Sequence, residues 1–148
     1  MKSVLDYATR DELIARIRSL HEHSTREWGK MTVLQMLKHC VLCENFYFGE
    51  VKVPRSFLGR LIGPPVLKKT LKEGAVLSRN APTSAVLIVA DSGGDVETEK
   101  QNWIRCIERY AHLPRNNFMH WFFGTMTPEQ LGQFVYKHAD HHLRQFNV

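Results

Sequence analysis

Apolar side chains recur at helical intervals in four stretches of this chain. Leu13, Ile14, Ile17 and Leu20 follow Thr9-Arg10-Asp11-Glu12, a Thr-x-x-Glu capping box, and predict a first helix over residues 10–23. Thr32 and Gln35 form a second such signature. The helix it opens, running to about Phe48, is apolar nearly all round (Val33, Leu34, Met36, Leu37, Val41, Leu42, Phe46), which places it at the centre of the core, with Gly49 as its stop. Trp103, Ile104, Ile107 and Tyr110 predict a third helix over residues 96–111, ended by Pro114-Arg115-Asn116-Asn117. The fourth opens at Thr127-Pro128-Glu129-Gln130, with threonine to cap, proline for the first helical position and Gln130 to complete the box. It continues to about Gln145.

Between the second and third helices the pattern breaks. Pro54, Gly59, Gly63, Pro64, Pro65, Gly74 and Pro82 interrupt it, with room for one or two short helices between Ser56 and Lys72. The apolar run Ala85-Val86-Leu87-Ile88-Val89-Ala90 fits either a strand or an extended strap, and Asp91-Ser92-Gly93-Gly94-Asp95 reads as a turn. His120-Trp121-Phe122-Phe123-Gly124 reads as an aromatic loop leading into the last helix. Four long amphipathic helices predict an all-α, four-helix bundle. The link of about 45 residues between helices 2 and 3 is long enough to cross the bundle, which permits an up-down-down-up order.

Composition narrows the class. At 148 residues the chain is expected to form one domain, residues 1–148, able to bury a core without disulfide staples. Three cysteines describe no disulfide framework. There is no run of about 18 apolar residues, and Met1-Lys2-Ser3-Val4-Leu5-Asp6 lacks the apolar centre of a signal peptide, so a cytoplasmic protein without a membrane partner is expected. The net charge of +5 is uneven: Lys52, Arg55, Arg60, Lys68, Lys69, Lys72 and Arg79 face one acid, Glu73. Such a stripe could draw an anion or a nucleic acid, but without a recognition motif a solvated face is the simpler reading.

The chemistry lies in the histidines. On the last helix His138 and His142 share the face marked by Leu131, Phe134 and Val135, and Gln145 lies one turn beyond. Two imidazoles four residues apart can reach one metal ion at about 2.0–2.1 Å, and His39, amid the apolar second helix, is the candidate third donor. Three neutral imidazoles would leave a position for water or substrate. The alternatives are a core histidine bonded to a carbonyl and a helix-terminal pair favoured as cations. The internal glutamate of the zinc-protease His-Glu-x-x-His motif is missing from His138-Ala139-Asp140-His141-His142. His141 sits about 60° from His138 around the helix, at the rim of a site or on the surface. Asp140 is placed to pair with Arg144 on the solvent side. His120, His141 and Gln145 are the candidates for catalytic roles, His120 as an acid–base group and Gln145 in orienting a ligand. Cys40-Val41-Leu42-Cys43 sits mid-helix in apolar company and reads as buried thiols. Cys43, four residues after His39, could instead close the metal's coordination as a fourth ligand.

Lys137-His138-Ala139-Asp140-His141-His142-Leu143-Arg144-Gln145-Phe146 resembles the C-terminal signature of the DinB-like (YfiT-like) metalloenzyme superfamily, and within it an uncharacterised subfamily known as a domain of unknown function. Trp28-Gly29-Lys30-Met31-Thr32, Gln35-Met36-Leu37-Lys38-His39-Cys40 and Phe122-Phe123-Gly124 extend the resemblance over essentially the whole chain. It implies a four-helix bundle binding a divalent metal through one histidine of helix 2 and an His-x-x-x-His pair of helix 4, which by position are His39, His138 and His142. Zinc comes first, with nickel or iron as alternatives. Relatives in that superfamily include transferases using low-molecular-weight thiols and a maleylpyruvate isomerase. The expected function is thus a metal-dependent enzyme, transferase or hydrolase, that activates water or a small thiol against a small electrophile. The competing expectation is a non-catalytic metal- or ligand-binding helical protein, its metal site closed or absent, with a homodimer through an exposed helix face as one form. Nucleic-acid binding ranks last.

Overall fold

The structure is a computed structural model that describes residues 1–91 and 93–148; Ser92, in the expected turn, lies outside them. Among the described residues the chain forms five α-helices and one two-stranded sheet: α1 Tyr7–Ser19, α2 Val33–Tyr47, α3 Phe57–Thr70, α4 Val96–Arg109, β1 Phe118–His120, β2 Gly124–Met126 and α5 Pro128–Gln145. The mostly helical architecture follows the expectation. The fifth α-helix falls where one or two short helices were expected between Ser56 and Lys72, and the small sheet is an addition to the all-α reading.

Two helices start as their sequences dictate. Thr32 Oγ1 accepts from Gln35 N at 3.2 Å while Gln35 Oε1 accepts from Thr32 N at 3.0 Å, and Thr127 and Gln130 repeat the device at the start of α5. The third capping box does not form. Helix α1 begins at Tyr7, so Thr9 is already inside it and buried, and Asp6 occupies the cap position without a side-chain bond. It ends at Ser19 rather than His23 because Leu20 turns extended, with ψ 145°. Helix α4 gives way at Tyr110–His112 to a 3-10 turn.

The stretch with room for one or two short helices holds a single helix of 14 residues. α3 persists through Pro64 and Pro65, although neither has an N–H for the helical ladder. Its glycines are packing residues: a Cβ on Gly59 or Gly63 would stand 2.5 or 2.1 Å from the carbonyl oxygen of Phe122. The aromatic loop is the turn of a hairpin, β1 pairing antiparallel with β2 in the register Phe118↔Met126, Met119↔Thr125, His120↔Gly124. Three-residue strands are too short to announce themselves by alternation. Of the two readings of the run 85–90 the strand does not form; the run is a strap with one 3-10 turn, Ala85–Leu87, that buries Leu87.

Leu13, Ile17, Met36, Leu37, Trp103, Ile107 and Leu143 form the fully buried centre. Helix α4 packs directly on α1 and α2, and α1 on α5. Helices α2 and α5 meet through rings instead: His39 reaches His138 and His142, and Tyr47 reaches Phe134 and His138. The space between those two helices is therefore lined by imidazoles and aromatics.

Candidate metal centre

α2 carries His39 inward because its polar stripe, Gln35, Lys38 and Asn45, takes the solvent side and leaves His39 among the buried positions with Met36, Cys40 and Cys43. α5 carries His138 and His142 on the face that also buries Leu131, Phe134 and Val135. The three rings converge. Centroids lie 5.5 Å apart for His39–His138, 5.0 Å for His39–His142 and 4.7 Å for His138–His142. One nitrogen from each falls within 4.8 Å of the other two. Donors sharing a tetrahedral ion at about 2.05 Å stand roughly 3.3 Å apart, so the set is close to ligating geometry.

The outer nitrogens are already engaged. His39 Nδ1 lies 2.7 Å from the carbonyl oxygen of Leu87, which makes it the protonated nitrogen and leaves the Nε2 lone pair facing the cluster. His142 Nδ1 lies 3.0 Å from Gln145 Oε1, and the Gln145 amide is itself fixed by donating from Nε2 to the carbonyl of Trp28 at 2.8 Å. Holding Nδ1–H against an oxygen is how proteins select the tautomer and orientation of ligating histidines. His138 is partly buried and has no hydrogen-bond partner among the described residues.

Electrostatics favour the neutral rings a metal requires. Burial pushes the His39 pKa below the usual histidine value, against a smaller opposing effect of the Leu87 carbonyl. His142 is pushed down to about 3, first by burial and then by His39. His138 is held well below the usual value by burial and by the other histidines.

The remaining candidates separate. His141 is buried rather than on the surface, its ring edge-on to Trp28 at 5.6 Å and to His142 at 5.1 Å. The Arg79 guanidinium lies 4.3 Å over the same Trp28 ring, whose buried Nε1 has no hydrogen-bond partner among the described residues. His120 is outside the cluster, in a nest of Phe46, Tyr47, Phe123 and Phe134. Its Nδ1 accepts from the backbone N–H of Phe122 and Phe123 at 3.1 and 3.2 Å, and burial together with the Arg55 cation drives its pKa to about 3. That ring organises the hairpin turn and is a poor proton acceptor near neutral pH. Asp140 accepts from Arg144 at 2.8 Å as expected, and also from Arg16 of α1 at 3.0 Å. All three cysteines are buried and free. Cys43 Sγ stands 3.6 Å from His39 Nε2, beside the cluster but not in the mutually close set.

Sequence reasoning passed over two features. One is the set of contacts that the segment between α3 and α4 makes with the helices: Lys137 Nζ donates to the carbonyls of Lys72 and Ala75, Arg79 covers Trp28, and Leu87 meets His39. Contacts between an irregular segment and a helix leave no periodic trace. The other is Glu44, 1% exposed, accepting from Tyr110 Oη and from Trp103 Nε1 (3.4 Å) across the α2–α4 interface. A lone acid inside an apolar helix was its only signal.

No curated protein and no solved structure matches the chain. A family profile does match, over residues 1–148, under the description protein of unknown function (DUF1569). With the whole length covered, this chain belongs to the DUF1569 family.

Proposed function

We propose that the chain is a metal-dependent enzyme built as a DinB-like bundle, its four long helices in up-down-down-up order, with His39, His138 and His142 as ligands of a divalent cation. The observation that carries this reading is the meeting of three imidazole nitrogens within 4.8 Å, with the far nitrogens of two rings tied to oxygens. All-imidazole ligation suits zinc first, then nickel or iron. Bound there, such an ion would supply Lewis acidity, lowering the pKa of a water or a small thiol to near neutrality.

The chain's own residues do the rest. Leu87 and Gln145 orient two of the ligands. Burial keeps the three rings deprotonated, so no proton has to be displaced before they bind. Tyr47 and Phe134 wall the cluster with apolar surface that suits a small electrophilic substrate. His141 and Trp28 border the other side, beneath the strap. Transfer of a low-molecular-weight thiol is preferred to hydrolysis on the resemblance of the α5 motif.

The test is metal analysis of untagged protein purified without a nickel column, followed by a screen of small thiols against a generic electrophile. One equivalent of metal is expected, and His142→Ala should lose both metal and turnover. Full metal content in that variant would overturn the assignment. A second reading, a closed structural site, is favoured by Cys43 standing 3.6 Å from His39 Nε2. Cys43→Ser separates the two: retained metal supports the open centre, and lost metal the closed one.

A further inference from the structure

The largest feature the histidine centre does not use is the outer face of α3. Phe57 is 78% exposed, Leu58 54%, Leu61 66% and Ile62 41%, a concentration of large apolar side chains that a solvated helix does not carry. The helix cannot turn them inward, because its other face is committed to the hairpin by Gly59, Gly63 and Leu67. At 100° per residue Phe57, Leu61 and Lys68 fall on one ridge, and Leu58, Ile62 and Lys69 on the next. Each ridge begins with two large apolar residues and ends in a lysine. Arg60 is exposed on the flank, Lys52 precedes the helix, and Lys72 follows it.

Charge decides among the surfaces that could cover this face. From Lys52 to Arg79 the one acid is Glu73, so a second copy docked α3 to α3 would bring two strongly basic patches together. A nucleic acid would satisfy the cations but leave four apolar side chains against a phosphate backbone. An anionic lipid surface satisfies both: apolar side chains enter the acyl boundary while the lysines extend to headgroup phosphates. Among the described residues no helix is long and apolar enough to cross a membrane, and a helix lying in the interface needs no such span. The expectation of no membrane partner rested on the lack of a spanning segment and of a signal-peptide pattern, neither of which bears on a helix lying in the interface.

We propose that α3 is a peripheral docking surface for an anionic bilayer, inserting Phe57, Leu58, Leu61 and Ile62 and pairing Arg60, Lys68 and Lys69 with lipid headgroups. The inference stands apart from the metal reading and uses none of its residues.

The experiment is co-sedimentation of the full chain with phosphatidylcholine vesicles, with and without phosphatidylserine, alongside light scattering of the free protein. Binding is expected only with the anionic lipid and should weaken as salt rises. Leu61→Glu should abolish it. Lys68→Gln combined with Lys69→Gln should weaken it roughly 25-fold, about fivefold per charge. All three side chains are exposed, so the helical circular-dichroism signal and metal content of each variant should match the parent. Vesicle binding that Leu61→Glu leaves intact would overturn the proposal. So would a lack of binding to anionic vesicles, a dimer that Leu61→Glu dissolves, or a DNA duplex that competes the protein off the lipid.

Discussion

At the scale of single residues, the candidate centre depends on oxygens that are not ligands. Gln145 holds His142 at 3.0 Å and is held by Trp28, so Gln145→Ala frees the ring to rotate while leaving all three donors in place. Metal affinity is expected to fall about 10- to 100-fold, the usual cost of losing such a support, as read by competition with a chromogenic chelator. An unchanged affinity would mean that the amide does not position the ring. Glu44 gives an independent prediction. Burial raises its pKa from 4.5 to about 7, against the lowering effects of Tyr110 and Trp103. The folded state therefore binds the extra proton between those values, and stability declines as pH rises through them. Glu44→Gln keeps an acceptor for Trp103 Nε1 and turns an amide donor toward Tyr110 Oη, whose hydroxyl can accept, without the charge. Its unfolding free energy from urea titration should match the parent near pH 5 and exceed it by about 2 kcal/mol near pH 8. Equal shifts at both values would contradict a charge-based effect. His39, His138 and His142 could be picked out from spacing on apolar faces, because helical period alone decides which side of a helix a ring occupies. Glu44's partners could not, since Trp103 and Tyr110 lie more than fifty residues away in sequence.

At the scale of elements, capping chemistry was a good guide where a proline or an apolar run supported it. Thr32 and Thr127 cap as their sequences say. Thr9 does not, because Arg10 reaches back to the carbonyls of Val4 and Leu5 and the helix starts earlier, at Tyr7. Helix α3 was legible in its place but not in its continuity: the glycines that interrupt its sequence pattern are what allow the Phe122 backbone to approach. Gly63→Ala would place a methyl group against a carbonyl that cannot move aside, and should destabilise the fold by about 1–3 kcal/mol. Thr127→Ala removes one half of a capping box and should cost about 1 kcal/mol. Thermal or urea unfolding reads both, and a neutral Gly63→Ala would mean that α3 stands further from the hairpin.

For the molecule as a whole, folding conceals several imidazoles that water would protonate. His120 has a folded pKa near 3 against 6.5 when exposed, so below pH 6.5 the unfolded chain binds the extra proton and stability falls with acid. That group alone should remove about 2 kcal/mol between pH 7.5 and 5, and the metal-free protein should lose more because His39, His138 and His142 shift the same way. Urea midpoints across that range test it. Glu44 shifts the opposite way over the same window, so the profile is read in the Glu44→Gln variant, where a flat line would place His120 in solvent.

One consequence reaches beyond the cluster itself. The carbonyl that orients His39 belongs to Leu87, at the end of the single 3-10 turn in the segment between α3 and α4, and not to either of the helices that bear the histidines. An inner-core nitrogen thus takes its bearing from the outermost covering of the protein. Transient detachment of that covering would let the imidazole swivel, so the residence time of a captured ion and the amide exchange rate around Leu87 should rise and fall as reciprocals.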